Sequence, residues 1–305
     1  MRADIRRSAM RMGTLVTIQA PPGAETAIAA ALDWFRQVEE CCTRFDPQSE
    51  LMQLTRRIGV PVPVGHILYQ AVQFALAVAE QTAGVFDPTV GLPMEKRGFD
   101  REYATRQVVR TGIDADGPDG VATYRDVCMD PDERTIKLVR PLVLDLGAVA
   151  KGMAIDLAAR ELMEFEGFAV DAGGDLYLGG CNPEGELWST GIRHPRQLDT
   201  LIDAVRVSNQ AVCTSGDYER GGHILNPRTG DPADAVASVT VIAPTAMMAD
   251  ALATAAFVAG PDEGIRLLEG QGLEGLIVTP ELERRETQGW RELRRNGSET
   301  RIKSV

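Results

Sequence analysis

The chain has 305 residues, 44% of them hydrophobic, which is enough to bury one large core or two closely packed ones. Its formal net charge of −12 would repel the phosphate backbone of nucleic acid, so we expect no nucleic-acid partner. Five cysteines without a CxxC spacing and only three histidines argue against a zinc site or a polyhistidine metal centre.

The N-terminus is charged and lacks the apolar core of a signal peptide, and nowhere in the sequence do about 18 apolar residues follow one another. We therefore expect a cytoplasmic protein without a transmembrane segment, its cysteines present as reduced thiols. After Met12, Gly13 and Thr14, the alternating run of residues 15–18 predicts a strand with Met12 and Gly13 at its mouth.

Helices and loops alternate over the next part of the chain. Apolar residues at helical spacing predict an amphipathic helix over residues 24–42 and a second helix over residues 65–82. Between them, residues 43–51 are polar, which fits either the end of one helix and the cap of the next or a binding segment. The glycine- and proline-rich turn of residues 84–91 is of a kind that often carries function.

A charged region then leads to the centre of the sequence. Residues 96–141 predict mostly loop, with an insertion between strands at 114–120. The apolar run of residues 142–146 predicts a buried strand, and apolar residues at helical spacing then predict a helix from 147 to about 165. A strand therefore enters a small turn and a helix leaves it.

That turn is the most informative part of the sequence. Gly147 and Gly152 allow other groups to approach the main chain closely, and the helix N-terminus offers unpaired N–H groups that suit a phosphate. Lys151 adds a full positive charge nearby. An ordinary turn with a surface lysine fits the same residues, and this stretch alone does not decide between the two.

The second half of the chain mixes strands and helices without strict βαβ alternation. The predicted strands are two around the Gly173–Gly174 turn within residues 170–179, and others at 188–195, 204–208, 211–214, 237–243 and 275–279; the predicted helices are 247–257 and 260–270. We predict an α+β fold of two interleaved lobes, with the binding cleft between them. Residues 1–285 form a single predicted domain, and residues 286–305 a charged tail that is partly disordered.

Three polar residues in this half are candidates for chemistry. Asp250 and Thr254 are four residues apart, so their oxygens lie on one face of an otherwise apolar helix. They fit either a site for a hard cation or an acid near the helix start followed by a threonine bonded to the backbone. His223 lies between two polar turns and fits either a catalytic or a structural histidine.

Seven motifs occur in order along the chain and together resemble the ApbE family, the FAD:protein FMN transferases. They are Met12-Gly13-Thr14, residues 86–91, Leu144-Asp145-Leu146-Gly147 with Ala150-Lys151-Gly152, Gly173-Gly174-Asp175, residues 214–218, His223 with residues 227–230, and residues 249–254. The resemblance spans roughly residues 10 to 280. It implies a Mg²⁺-dependent enzyme that splits FAD at its pyrophosphate, attaches FMN through a phosphoester to a threonine or serine of another flavoprotein, and releases AMP.

The resemblance also implies roles for individual residues. Mg²⁺ would be bound by Asp250, Thr254 and the main-chain carbonyl of Ala148, in a cleft that also holds FAD. His223 would take the proton from the acceptor hydroxyl. The implied FAD contacts are Met12, Phe45, Val85, Phe86, Asp87, Asp145, Lys151 and Ile224. The implied partners are FAD and an acceptor flavoprotein, and a homodimer is compatible with the sequence.

The sequence departs from the family pattern at several positions. Met153 stands where an aromatic residue is common, Phe45 replaces a frequent tyrosine, residues 91–93 reverse a usual proline–leucine order, and a tryptophan often found shortly after is absent. These changes touch the walls for flavin or adenine more than the metal site. Many relatives are exported lipoproteins, so the missing signal peptide suggests a cytoplasmic acceptor.

Two other functions remain open from the sequence. Hydrolysis of FAD to FMN and AMP, an FAD pyrophosphatase activity, would use the same site with water as the acceptor. A passive FAD-binding protein is the other alternative. Retention of Asp250, Thr254 and His223 argues against the passive protein.

Overall fold

A computed structural model describes residues 4–101, 108–113, 121–197 and 199–294 of the chain. The described strands are β1 (Ile5–Arg11), β2 (Thr14–Ala20), β3 (Val62–Pro63), β4 (Val127–Asp130), β5 (Thr135–Leu138), β6 (Gly167–Ala172), β7 (Asp175–Gly180), β8 (Trp188–Arg193), β9 (Leu201–Val207), β10 (Gln210–Gly216), β11 (Ser238–Ala243), β12 (Glu274–Val278) and β13 (Arg284–Glu286). The described helices are α1 (Glu25–Cys42), α2 (Glu50–Thr55), α3 (His66–Gln81), α4 (Gly91–Lys96), α5 (Gly147–Arg160), α6 (Asp217–Arg220), α7 (Ala246–Ala259), α8 (Pro261–Gly270) and α9 (Trp290–Leu293). The predicted insertion at 114–120 lies outside the described residues.

Within the described residues, the largest sheet has eight strands in the order β1-β2-β6-β7-β10-β11-β12-β13, and every neighbouring pair is antiparallel. This confirms the predicted α+β class. Helices α1, α3, α5 and α7 share one hydrophobic cluster with the inner faces of the strands. The β8–β9 hairpin and α9 form a second cluster with other residues of β7, β10, β11 and β12. The first cluster runs without a break from β2 to β11, so the predicted lobes share one core.

Helices α1, α3, α7 and α8 lie within two residues of their predicted bounds. Helix α1 buries Ile28, Ala31 and Phe35 on one face, as the periodicity predicted. The polar segment after it leads into α2, whose N-cap Ser49 accepts a hydrogen bond from the backbone N–H of Met52. That half of the prediction for residues 43–51, a helix end followed by a cap, is confirmed.

The predicted strand at residues 142–146 is wrong. The segment is buried, but it joins no sheet; Val143 makes only an isolated parallel bridge with Val90. An apolar run indicates burial but does not indicate whether its backbone pairs with a neighbouring strand. Helix α5 begins at Gly147 as predicted but ends at Arg160 rather than near residue 165.

Two further strand predictions were incomplete. Strand β1 was missed because it lies at the sheet edge and exposes Arg6 and Arg7, so it lacks apolar alternation. Met12 and Gly13 both have positive φ, 50° and 72°, and form the turn between β1 and β2 that suits a two-residue hairpin. The region 96–141, predicted as loop, contains β4 and β5; β5 pairs with both β3 and β4 in a small sheet.

The charged C-terminal region begins later than predicted. Thr287 and Trp290 are fully buried, and the indole of Trp290 donates a hydrogen bond to Asp203. The guanidinium groups of Arg284 and Arg294 also bind Asp203, so two of the positive charges of this segment are paired with a buried acid on β9. The boundary predicted at 286 is therefore too early, since packed structure continues to Arg294. None of the described helices has the length and apolar character needed to cross a bilayer.

Helices α5 and α7 cross with their backbones in contact. A Cβ atom on Gly152 would lie 2.5 Å from the Cα of Met247 and 2.6 Å from the carbonyl oxygen of Ala246. Both neighbours are backbone atoms that cannot rotate away. Gly152 is therefore required for the distance between the two helices, and its close approach predicted from the sequence is confirmed.

Substitution Gly152→Ala should lower the free energy of unfolding by about 1–3 kcal/mol, because the new methyl group must push the helices apart. Urea denaturation would measure it. Gly270→Ala is the matched control, since a Cβ there meets nothing within 4 Å at the end of α8. That control should gain about 0.5–1 kcal/mol from better helix propensity. Equal unfolding midpoints for the two variants would contradict the close crossing.

Candidate active site

A lysine and two acids from three elements form a buried charged cluster. Lys151 on α5 makes an ion pair with Asp175 at the start of β7, and the Asp175 side chain is only 3% exposed. The other Asp175 oxygen, Oδ1, accepts a hydrogen bond of 2.9 Å from the backbone N–H of Thr214. Asp250 on α7 is also buried and interacts electrostatically with Lys151. The cluster therefore has one cation held between two carboxylates.

The charges in this cluster shift each other's ionisation. Burial would lower the pKa of Lys151, but the carboxylates of Asp175 and Asp250 outweigh it, and its pKa is held well above the usual range. Burial raises the pKa of Asp250, while Lys151 acts in the opposite direction. Lys151 is therefore a permanent cation. At Asp250 burial outweighs Lys151, so the pKa of this carboxyl group is raised to about 7.

The oxygen atoms around Asp250 are of the kind that bind a hard divalent cation. Its Oδ2 atom is buried and has no hydrogen-bond partner among the described residues. Thr254 lies one turn further along α7, its hydroxyl oxygen 3.2 Å from that of Ser215. Ala148 lies one turn before Gly152, so it is on the side of α5 that faces α7. One carboxylate with neutral oxygens suits Mg²⁺, which takes its other ligands from water and phosphates.

The turn that carries Met12 adjoins this cluster. The hydroxyl of Thr14 occupies the space that a Cβ on Gly173 would need, and the backbone N–H of Gly173 donates to the carbonyl of Leu15. Gly173 has a φ of 69° and precedes Asp175 by two residues. The structure thus places Thr14, two residues after Met12, against the turn that precedes Asp175.

A second group of predicted residues gathers around Asp145. Its Oδ1 atom accepts from the N–H of Gly147 at 2.9 Å, and its own N–H donates to the carbonyl of Pro88 at 2.7 Å. These bonds place the 84–91 turn next to the start of α5. Arg44 donates from Nε to Asp145 Oδ2 at 2.5 Å and lies over the ring of Phe45, 4.2 Å from its centroid.

Sequence reasoning missed Arg44. Its side chain is 4% exposed, its Nη2 donates to the carbonyl of Phe99 at 2.6 Å, and its Nη1 has no hydrogen-bond partner among the described residues. It joins Asp145 and Phe45, which are far apart in sequence from each other. No local pattern separates a buried arginine in a polar loop from a surface one.

Both carboxylate oxygens of Asp87 accept hydrogen bonds from other residues of the protein. Oδ1 accepts from the N–H and hydroxyl of Thr89, and Oδ2 accepts from the N–H of Tyr124. Burial raises the pKa of Asp87, and these hydrogen bonds oppose that effect. Its carboxylate therefore fixes the shape of the turn beside Val85 and the buried Phe86, and its contact with FAD stays a prediction.

His223 and Ile224 follow α6 in a loop. His223 is half-buried, and Ile224 is buried with its carbonyl accepting from the N–H of Ala233 at 2.9 Å. Glu219 on α6 contributes to the pKa shifts of both Lys151 and Asp250, so α6 lies beside the charged cluster. His223 comes four residues after Glu219, at the exit from that helix.

The architecture that carries these groups is that of the flavin transferases. The chain superposes on an ApbE protein of Thermotoga maritima with a TM-score of 0.83 at 30% identity, covering 96% of this chain and all of that one. It also superposes on the flavin transferase ApbE of Vibrio cholerae with a TM-score of 0.81 at 25% identity, covering 95% and 99%. The sequence model of the ApbE family matches residues 12–277, and the chain belongs to that family.

Relatives of known sequence carry one shared name. The FAD:protein FMN transferase of Escherichia coli K12 is 33% identical over 236 residues, which cover 72% of this chain and 67% of that protein. The FAD:protein FMN transferase of Treponema pallidum is 31% identical over 339 aligned positions, covering 94% and 89%. The predicted resemblance to the ApbE family is confirmed.

Substitution Arg44→Lys should lower the free energy of unfolding by about 1.5–3 kcal/mol, because a lysine cannot keep both charge-assisted hydrogen bonds of the planar guanidinium. Urea denaturation would measure it. Arg36→Lys is the matched control: Arg36 also pairs with acids, but on the exposed face of α1, and its change should be nearly neutral. Equal losses would mean that the Arg44 pair contributes no more than a surface pair.

Proposed function

We propose that this protein is an FAD:protein FMN transferase. It cleaves the pyrophosphate of FAD, joins FMN through a phosphoester to a threonine or serine of an acceptor flavoprotein, and releases AMP. Membership of the ApbE family and the shared name of its relatives support this function. The observation that carries it is the buried cluster in which a permanent cation, Lys151, lies beside the unpartnered oxygen of Asp250.

In this proposal Asp250, Thr254 and the main-chain carbonyl of Ala148 hold Mg²⁺. When bound, the cation supplies positive charge against the FAD pyrophosphate and the oxygen that leaves with AMP. These residues lie on two helices whose spacing is fixed by Gly152. The protein therefore contributes two side-chain oxygens from α7 and one backbone oxygen from α5.

Lys151 provides the second positive charge for the substrate. Its ion pair with Asp175 keeps the ammonium in one place, which lowers the entropy lost when it binds a phosphate oxygen. The two acids leave the cluster with a net negative charge. A phosphate group is therefore attracted to it only when a metal cation is bound as well.

The remaining predicted contacts surround the rest of FAD. Phe45, backed by Arg44, offers a flat apolar surface for a ring system. Met12 lies in the turn between β1 and β2, whose Thr14 contacts Gly173, and Asp145 is held by Arg44 and Gly147. We propose that these groups, with the turn of residues 85–87 and Ile224, orient the flavin and adenine ends.

The transfer step needs a proton acceptor for the attacking hydroxyl. The acceptor's hydroxyl oxygen forms a bond to the phosphorus of the FMN half while the bond from that phosphorus to the AMP oxygen breaks. AMP leaves with that electron pair, and His223 takes the hydroxyl proton. Water in place of the protein hydroxyl would give FMN and AMP, the FAD pyrophosphatase reaction.

A direct test separates transfer from hydrolysis. The protein is incubated with FAD, Mg²⁺ and candidate flavoprotein domains encoded in the same genome, and the mixture is denatured and separated on a gel. Flavin fluorescence at the position of the acceptor supports transfer, and replacing the acceptor's threonine or serine by alanine should remove it. Release of AMP with no fluorescent band for any acceptor would replace transferase by FAD pyrophosphatase.

Substitution Asp250→Ala should reduce Mg²⁺-dependent release of AMP by roughly 10²- to 10³-fold, because the cation loses its one proposed carboxylate ligand and with it several kcal/mol of charge stabilisation. FAD binding, measured by flavin fluorescence, should weaken less. Asp262→Ala is the control, since Asp262 is exposed at the start of the neighbouring helix α8. AMP release at the wild-type rate in Asp250→Ala would remove Asp250 from the site.

Substitution His223→Asn should leave FAD affinity nearly unchanged and slow flavin transfer by about 10²- to 10⁴-fold, the usual contribution of a general base. Quantitative in-gel fluorescence and equilibrium FAD titration would measure the two effects. His66→Asn is the control, because His66 is exposed at the start of α3. A His223→Asn variant that transfers FMN at the wild-type rate would make His223 structural, with Asp217 the next residue to examine.

A further inference from the structure

Asp156 on α5 is a buried acid with no part in the proposed chemistry. Its Oδ1 accepts a hydrogen bond of 2.7 Å from the backbone N–H of Ala246, and its Oδ2 accepts one of 3.0 Å from the N–H of Met247. These are the first two residues of α7. One carboxylate thus binds both N–H groups at the end of the helix that carries Asp250.

This contact satisfies a specific need of a helix N-terminus. The first N–H groups of a helix have no partner within the helix, and a negative charge is favourable there. Burial raises the pKa of Asp156 to about 6, while the N–H groups of Met247 and Ala246 favour the ionised form. A carboxylate offers an acceptor oxygen to each N–H, whereas an amide would offer only one.

The contact also fixes α7 against α5. Gly152 lies one turn before Asp156 on the same face of α5. A Cβ atom on Gly152 would clash with the backbone of the same two residues of α7. Asp250 follows Ala246 by four residues, about one turn, so a shift of α7 along its axis moves its carboxylate by the same distance. Lys151 and Ala148, on α5, would not move with it.

We propose that Asp156 is a positioning residue for the divalent cation site. By binding the first two N–H groups of α7, it sets the distance between the oxygens of Asp250 and Thr254 on one helix and the carbonyl of Ala148 on the other. This inference rests on the proposed function, because it requires that these oxygens bind a divalent cation.

The test measures cation binding without turnover. The full-length protein is titrated with Mn²⁺ in the absence of FAD, and free Mn²⁺ is followed by electron paramagnetic resonance. Asp156→Asn should weaken Mn²⁺ binding by about 10- to 100-fold, as loss of groups that orient metal ligands does. Hydrogen exchange at Ala246 and Met247 should become faster in the same variant. Asp156→Glu, which keeps both acceptor oxygens, should recover part of the affinity.

The control separates positioning from a general loss of stability. Asp203→Asn removes the charge of another buried acid, which binds Arg284, Arg294 and Trp290 beneath α9. It should lower the free energy of unfolding without changing Mn²⁺ affinity. Weakened Mn²⁺ binding in Asp203→Asn to the same extent as in Asp156→Asn would overturn the positioning role.

The outcomes distinguish this inference from the proposed function. If the wild type binds Mn²⁺ and Asp156→Asn binds it equally well, Asp156 has no positioning role and the proposed function is untouched. If Asp156→Asn does not fold, Asp156→Glu decides the question, because its longer side chain displaces the two acceptor oxygens. Faster hydrogen exchange at Ala246 and Met247 with weaker Mn²⁺ binding supports the inference, and faster exchange with wild-type Mn²⁺ affinity overturns it. A wild type that binds no Mn²⁺, with or without FAD, overturns both proposals.

Discussion

The close crossing of α5 and α7 is the constraint on which the candidate site depends. Lys151 and Ala148 lie on one helix and Asp250 and Thr254 on the other, so the helix separation fixes how these groups meet. A glycine at the crossing brings the backbones together, and the carboxylate of Asp156, about two and a half turns into α5, holds the end of α7. Because protein interiors are densely packed, such a contact allows little drift in either helix.

Electrostatics explains why an acidic protein can bind an anionic substrate. The cluster holds its single lysine between two carboxylates, so in the proposed function a divalent cation would balance the acids before a phosphate binds. Burial strengthens each of these interactions, because the surroundings screen charge less than water does. The same burial makes an unpartnered carboxylate oxygen energetically costly, and this cost supports the proposed cation at Asp250.

What the sequence could predict depended on how local each signal is. The bounds of helices α1, α3 and α7 were predicted to within two residues, because the helical pattern of apolar residues repeats between positions three or four apart in the sequence. Asp250 and Thr254 were placed on one face of α7 for the same reason. Strand β1 and the partners Lys151–Asp175 and Arg44–Asp145 could not be read in this way: an edge strand needs no apolar alternation, and the ion pairs join residues distant in sequence.

The strand order also determines when the fold can be completed. Val16 of β2 pairs opposite Ala172 of β6, so the N-terminal hairpin must wait for about 150 further residues before its inner edge is covered. At synthesis rates of about 5–20 residues per second, that interval is roughly 8 to 30 seconds. Throughout it, the apolar residues of β2 are exposed on a growing chain beside an unpaired strand edge. The β1–β2 hairpin is thus the part of the nascent chain that stays open to aggregation longest before its neighbouring strand is made.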